Sequence, residues 1–496
     1  MIKWITAFAS IAVGCTAIPS SDQEVAQTNS APEAELVAFA QNSSVSGIYD
    51  RTCAKCHGDR GQGGGGGTQS LNTTEKFHQK YDRPYFDAIK NGVKDMGMEA
   101  YAETLTDQQI WGLVVHIREL QYEAYRRENG GPKAKDGVYQ AQGHSYKVTT
   151  VLPRGGGLST PWGIDWLPDG RSLITNKAGT ILVTREDRIL GSVSGLPTVA
   201  VIGQGGLMDV AVHPKYRENG WIYLSYSDPG QRSGTAFTKI VRGKLKWTGS
   251  DAEWTEQQTI YQAPQEMYSG GGVHFGNRTV FDGKGHIYVC YGERGQGNLS
   301  QDLTKTNGKI LRLKEDGTIP ADNPFVNSPG AVKAIWSYGH RNPQGLVMGL
   351  DGVLWDTEHG PRGGDELNKV VKGGNYGWPL VAFSINYNDA PLATPWPSAS
   401  QKFVQPEMRW LPSIAACGLD VIRGGAFPQW RGDLIAGGLA GQTVRRIRVK
   451  DGKYVDQEEL IWNMGRVRDV AVHPLTGEIY VLLNQPDTVV KISRAN

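Results

Sequence analysis

The chain has 496 residues, enough for two or three ordinary domains or for one large all-β barrel or propeller beside a smaller domain. Its 52 basic and 50 acidic side chains leave a formal charge of +2, so no overall field draws it to nucleic acid or to an anionic membrane surface. The 64 glycines, 25 prolines and 14 tryptophans suit short strands and tight turns better than long helices.

Lys3 precedes an apolar run from Trp4 to Val13, the length of a signal-peptide core and far short of the ~20 residues of a spanning helix. Residues 1–15 therefore read as an export signal, which predicts a periplasmic or envelope-associated protein. Ala12-Val13-Gly14-Cys15 also resembles a bacterial lipoprotein signal, with Cys15 as the lipid-anchored residue, although leucine is usual where Ala12 stands. Residues 16–45 are Ser, Ala, Gln and Glu without period, the composition of a flexible tether.

Cys53-Ala54-Lys55-Cys56-His57 organises the next segment. Two thiols three apart can add to the two vinyl groups of a haem while the adjacent imidazole takes an axial position on the iron, so C-x-x-C-H is a c-type haem attachment signal. A zinc site would need two more soft ligands, and no second CxxC or His pair is present. Residues 46–128 read as small and all-α. Tyr85 to Ile89 predicts a short helix, and Thr106 caps a longer one, Asp107 to Tyr122, with Ile110, Leu113, Val114, Ile117 and Leu120 on one face. The glycine run from Gly61 to Gly67 lacks the Lys-Ser/Thr and helix start of a phosphate cradle and reads as a flexible loop.

Taken with the haem motif, the run from Asn91 to Asp107 resembles the second half of a class I cytochrome c. In that family a loop methionine seven residues before the leucine that opens the terminal helix ligates the iron opposite the histidine. Met98 has this spacing before Leu105, although Glu99 stands where proline is usual and Met96 lies two residues away. The resemblance implies His57 and Met98 as iron ligands, with His78 and His116 as weaker alternatives. Polar residues 129–143, with Asn129-Gly130-Gly131-Pro132, predict a flexible linker.

From residue 144 to 496 a pattern recurs: an apolar run, a turn of Asp, Gly or Asn, and a second apolar run. It occurs at Trp162 to Ile174, Asp209 to Leu224, Thr279 to Val289, Leu346 to Trp355, Leu419 to Ile435 and Asp469 to Val481. Each predicts a β-hairpin, and hairpins repeated every several dozen residues predict a β-propeller, here with six blades. The fold expected is thus mainly β, a six-bladed propeller preceded by a small all-α cytochrome c domain. Cys290 and Cys417, each in an apolar strand-like run, read as lone buried thiols, with a disulfide between them as the alternative in an oxidising compartment.

Five polar clusters stand beside these hairpins: Gln204 to Leu207, Gly272 to Arg278, Tyr338 to Gly345, Glu358 to Asn368 and Gly465 to Asp469. In that order they resemble the soluble quinoprotein glucose/sorbosone dehydrogenases, which include the aldose sugar dehydrogenases. Those are six-bladed propellers that bind pyrroloquinoline quinone (PQQ) with calcium and oxidise sugars. The resemblance implies that His274 is the catalytic base, that Gln204, Arg341 and Asn342 hold the quinone, and that Arg466 and Arg468 pair with its carboxylates. It also implies that Gly360 and Pro361 offer carbonyls to calcium. Neutral imidazole suits proton removal near neutrality, calcium prefers oxygen ligands, and planar guanidinium forks match carboxylates. One departure is that Ala440-Gly441-Gln442 stands where the family often has a lysine, leaving Gln442 or Arg445 as substitutes.

The leading expectation is an exported PQQ enzyme that oxidises an aldose and passes electrons to its own haem c, then to a downstream redox protein or respiratory-chain acceptor. Two alternatives are a non-catalytic ligand-binding propeller with a haem sensor domain, and a dehydrogenase of sorbosone or another aldehyde hydrate. Residues 383 to 401 form a substrate-facing loop without a readable residue code.

Overall fold

The computed structural model describes residues 44–64, 69–396 and 402–495. The export signal, Cys15, most of the expected tether and part of the glycine run lie outside the described residues. The protein is mainly β, with a β-propeller-like body preceded by a small helical region, and residues Ser43–Asn496 form one compact unit.

The helical region contains α1 (Val45–Thr52), α2 (Ala54–His57), α3 (Asp82–Asn91) and α4 (Asp107–Asn129). Helix α1 takes in Val45, the last residue of the expected tether. Helix α4 begins where expected, because Thr106 accepts from the Gln109 backbone while the Gln109 side chain reaches back to Thr106, a reciprocal cap. It runs past the expected Tyr122 to Asn129, and its last-turn Arg126 and Arg127 suit the negative end of the helix dipole. The predicted stripe is the buried one: Ile110, Leu113, Val114, Ile117 and Leu120 form a core with Val45, Ile48 and Tyr49 of α1 and Phe86 and Ile89 of α3. Gly92 turns the chain at φ +71°, where a Cβ would meet the Met98 carbonyl oxygen at 2.7 Å. The Met98 backbone is thereby held against this turn, paired with Val93.

All six predicted hairpins are present as antiparallel pairs. Three four-stranded meanders follow the chain without crossover: residues 279–338, 343–410 and 416–462. Two further meanders, residues 161–194 and 207–262, join into one eight-stranded sheet because Val193 and Ser194 pair in parallel with Ala252 and Glu253. A five-stranded sheet adds His144–Leu152 to the C-terminal strands, so the two ends of the body close on each other. The opening strands of successive meanders neighbour one another in chain order, and Arg466–Val472 returns to Pro161–Trp166.

A repeated aspartate ties these opening strands together. Asp165 accepts from Val212 N (2.7 Å), Asp209 from Thr279 N (2.8 Å), Asp420 from Val472 N (2.7 Å) and Asp469 from Ile164 N (3.3 Å). Buried Arg278 lies between Asp209 and Asp469, at 2.9 and 2.7 Å. One guanidinium serves several buried carboxylates, and burial pushes Asp165 and Asp469 up to about 7.

The linker expected to be flexible is instead packed on the body. Arg126 makes a two-pronged bond to Glu459, a Cβ at Gly131 would strike the Trp462 ring, and Tyr139–Ala141 is a strand paired with His144–Tyr146. Cys290 and Cys417 are buried free thiols, each donating to a backbone carbonyl.

Candidate active site

His274 lies between the meanders that end at Gln262 and begin at Thr279, with φ +52°, a left-handed conformation uncommon for a side-chain-bearing residue and frequent at functional sites. The fold holds it from two directions. Its backbone N–H donates to Gln204 Oε1 at 2.9 Å, and its Nδ1 makes a very short hydrogen bond to Glu293 Oε1. With Glu293 ionised, Nδ1 carries the proton and Nε2 keeps the lone pair. Burial pushes the imidazole below its usual range, the Glu293 hydrogen bond opposes this, and nearby Arg341 reinforces it.

Glu293 is 2 % exposed, and its backbone N–H donates to the Arg341 carbonyl at 2.9 Å, which joins the histidine loop to the next cluster. Asn342 is fully buried, and its Oδ1 accepts from Gly276 N at 3.0 Å. Arg341 donates from Nη1 to the carbonyls of His359 (3.2 Å) and Gly360 (2.9 Å). Gly360 must be glycine, since a Cβ would lie 2.1 Å from the Gly363 oxygen, and Pro361 follows it, buried. Gln344 links Asn342 to Arg468, which donates from Nη1 to Gln344 Oε1 at 3.2 Å. Arg466 is pushed below the usual arginine range by burial and by Arg468 beside it.

Gln204, His274, Arg341, Asn342, Gly360, Pro361, Arg466 and Arg468 are therefore linked through contacts into one region. Glu293 lies outside the clusters read in the sequence, whereas Gln344 and His359 lie inside two of them without an assigned role. His359 is buried, and burial with the neighbouring guanidiniums of Arg341 and Arg468 holds it down at about 3, neutral at physiological pH. Arg445, considered as a substitute for the family lysine, bonds Glu459 and Gln457 instead. Lys177 is the cation nearer the site: burial and Arg468 push it down, and its Nζ donates to Gly203 O beside Gln204.

Several of these groups carry polar atoms without protein partners. Asn342 Nδ2, Arg341 Nε and His359 Nε2 are buried without partners, and among the described residues neither Arg466 nor Arg468 makes an ion pair. Buried polar atoms clustered without partners mark a place for a polar ligand, here one carrying negative charge. The turn at His359 and Gly360 presents carbonyl oxygens to the Arg341 guanidinium.

In the helical region, Cys53 and Met98 pack against the same apolar core, whereas Met96 is 64 % exposed. His57 Nδ1 lies 3.4 Å from the Gln69 carbonyl oxygen, which leaves Nε2 for another role. The two weaker histidines have other duties. His78 Nδ1 accepts from Lys80 N at 3.1 Å, and His116 packs tilted against the Tyr49 ring and faces Glu119.

Comparison with known proteins identifies the family. Residues 158–491 match the family described as Glucose / Sorbosone dehydrogenase, and residues 40–117 match that described as Cytochrome C oxidase, cbb3-type, subunit III. The chain is 38 % identical over 348 residues to aldose sugar dehydrogenase YliI of Escherichia coli, covering 68 % of this chain and 91 % of that one. Among solved structures, a glucose dehydrogenase superposes with TM-score 0.66 at 35 % identity, covering 71 % of this chain and all of the other. The PQQ-bound aldose sugar dehydrogenase of Streptomyces coelicolor superposes with TM-score 0.55 at 26 % identity, covering 74 % of this chain and all of the other. The site and fold are those of an oxidoreductase acting on CH–OH groups. The chain belongs to the glucose/sorbosone dehydrogenase family.

Proposed function

We propose that this protein is a PQQ-dependent sugar dehydrogenase that oxidises an aldose and passes electrons to a haem c carried on its own chain. The observation that carries the reading is the His274–Glu293 pair, set in one region with two guanidiniums, Arg466 and Arg468, that have no acidic partner among the described residues. A non-catalytic propeller has no need of an imidazole held at one nitrogen by a buried carboxylate.

Gln204, Arg341 and Asn342 would hold PQQ, Arg466 and Arg468 would pair with its carboxylates, and the carbonyls of Gly360 and Pro361 would hold calcium beside it. PQQ with calcium supplies the acceptor for the hydride that leaves the sugar carbon. His274 Nε2 takes the hydroxyl proton, and Glu293, bonded at Nδ1, stabilises the imidazolium that results. Burial keeps His274 neutral before reaction, so the base is ready near neutral pH. Arg341 fixes the turn at Gly360, and Gln204 fixes the backbone of His274.

The body is read as six four-stranded blades, residues 144–496, with the eight-stranded sheet as two of them; the neighbouring of six opening strands supports this. Residues 46–128 are read as a cytochrome c domain with haem on Cys53 and Cys56, and His57 and Met98 as iron ligands. The family match over residues 40–117 and the partial burial of Met98 against the apolar core that Cys53 also touches support it. Residues 1–15 are read as an export signal, with Cys15 as a lipid anchor, and the location as periplasmic; no helix among the described residues is long and apolar enough to cross a membrane. Electrons would leave to a downstream redox protein. Sorbosone or another aldehyde hydrate remains the second substrate class, because such a gem-diol offers the same C–H and O–H to His274.

The test adds PQQ and calcium to purified protein and screens sugars and aldehydes, following both an artificial dye and the haem absorbance. Dye reduction without haem reduction supports the dehydrogenase and refutes the haem; no reduction of either with any sugar or aldehyde refutes both.

A further inference from the structure

The residue after Gly360-Pro361 points away from the site and into the helical region. Arg362 donates from Nε and Nη2 to Glu119 Oε1 and Oε2 of α4, each at 2.9 Å, and from Nη1 to Asp389 Oδ1 at 2.8 Å. Its backbone pairs with Ile385 (3.1 and 3.2 Å), and its carbonyl accepts from Ser384 Oγ at 2.9 Å. Asp389 turns its other oxygen to the start of α1, where it accepts from Ser46 N (2.9 Å) and Ser46 Oγ (2.5 Å), while its carbonyl accepts from Val45 N (2.7 Å). A carboxylate at the first turn of a helix is doubly favoured, by free N–H groups and by the helix dipole. Apolar contacts lie beneath. Ile385 is fully buried in the helical core, Gly112 leaves room for it against Val45, and Trp111 of α4 stacks on Trp396 at 4.1 Å and 2°.

Between Ile385 and Asp389 stands Tyr387. Its hydroxyl accepts from Arg341 Nη2 at 3.4 Å, yet the residue is 70 % exposed. A side chain this exposed is not positioned by packing around it, so its place depends on the backbone at Ile385 and Asp389. Those two anchors belong to contacts with α1 and α4. We infer that Arg362 and Asp389 are positioning residues through which the N-terminal helices set the wall of the sugar site, by fixing residues 383–391 and the Gly360-Pro361 turn. This rests on the reading of Arg341 and Gly360 given under the proposed function, and adds that the helical region shapes substrate binding as well as any electron transfer.

The physical case turns on geometry and exposure. A fork-to-fork arginine–carboxylate bond is directional, and the three charged side chains are 34, 16 and 18 % exposed, so solvent and salt weaken the cluster less than an open surface pair. Surface loops otherwise open locally at little cost, and small misplacements of a binding wall reduce productive binding.

The experiment uses the full chain with Asp389→Ala, Glu119→Gln and Arg362→Lys, the last keeping the charge and losing the fork. Amide hydrogen exchange over residues 383–391 is measured without cofactors, and KM and kcat for the best sugar are measured after addition of PQQ and calcium. The expected result is severalfold faster exchange in that segment and a severalfold higher KM, with kcat and the melting temperature nearly kept, most strongly for Asp389→Ala. A general folding defect would instead lower the melting temperature and spread exchange through the helical core. Unchanged exchange, or faster exchange with an unchanged KM, overturns the inference. Failure of the wild type itself to bind PQQ, followed by tryptophan fluorescence, or to oxidise any sugar would count against the proposed function and is read separately.

Discussion

Glu293→Gln is the most direct probe of the site. Glu293 is buried, bonds His274 Nδ1 through one oxygen, and has no partner for the other. The substitution keeps the size and removes the charge that steadies the imidazolium. A hydrogen bond to a charged group contributes about 1.5–3 kcal/mol, and about 1.36 kcal/mol is tenfold in rate, so kcat/KM should fall roughly 10- to 100-fold. His274→Ala should cost more, about 10²- to 10⁴-fold, the range for loss of a general base. The pH profile gives an independent sign. The base must be neutral, and burial already sets His274 below the ordinary histidine range, so activity should fall only as pH drops through that lowered value. Glu293 raises the His274 value, so its neutralisation should move the acid limb to still lower pH while the plateau drops. Steady-state rates of reconstituted protein between pH 4.5 and 9, roughly the span of a histidine and its flanks, decide the matter. An unchanged plateau, or an acid limb that moves upward, would refute the orientation of His274 by Glu293.

Three further outcomes follow from the same geometry. Arg278→Ala strands the buried carboxylates of Asp209 and Asp469 and should destabilise the protein by about 3–5 kcal/mol, read from denaturant unfolding; a change within error would mean that water replaces the guanidinium. Asp165 is raised to about 7 in the fold, so its contribution to stability is full below the ordinary aspartate range and is lost as pH rises through about 7. Asp165→Asn should therefore flatten the decline in melting temperature between those limits, and an identical slope would exclude Asp165 as its source. In the haem-loaded protein Met98→Ala should abolish the methionine-ligated low-spin spectrum and Met96→Ala should leave it, since Met98 packs against the apolar core that Cys53 also touches and Met96 faces solvent; the reverse pattern would reassign the ligand.

The hairpins were legible because each is written locally, in a turn of Asp, Gly or Asn between two apolar runs, and all six fall on the first two strands of a meander. Helix α4 was legible at its start for the same reason: Thr106 and Gln109 are three residues apart. Two features were hidden because they join residues far apart in the chain. The parallel pairing of Val193 with Ala252 merges two meanders into one sheet, and nothing near either residue signals it. The linker reads as flexible because its Gly, Pro and polar composition suggests mobility, whereas Gln142 is held by Trp430 and Arg446, each about three hundred positions away.

The same division runs through the site. His274, Arg341, Asn342, Arg466 and Arg468 were nominated through the resemblance of five ordered polar clusters to one family, since taken singly each could be a turn or a solvated strand residue. Glu293 was not, because Tyr291-Gly292-Glu293-Arg294-Gly295 has the composition of any surface turn, and only its burial against His274 separates it from one. Lys177 is a similar case, an ordinary turn lysine until Arg468 is found beside it. Local sequence can thus nominate groups for the proposed chemistry, while the groups proposed to orient them, Glu293 for His274 and Asp389 for Tyr387, owe their places to partners the fold brings from elsewhere. A substitution at an orienting residue should then leave the identity of the reaction intact and change its rate or its KM, which is the distinction that the Glu293 and Asp389 variants are built to measure.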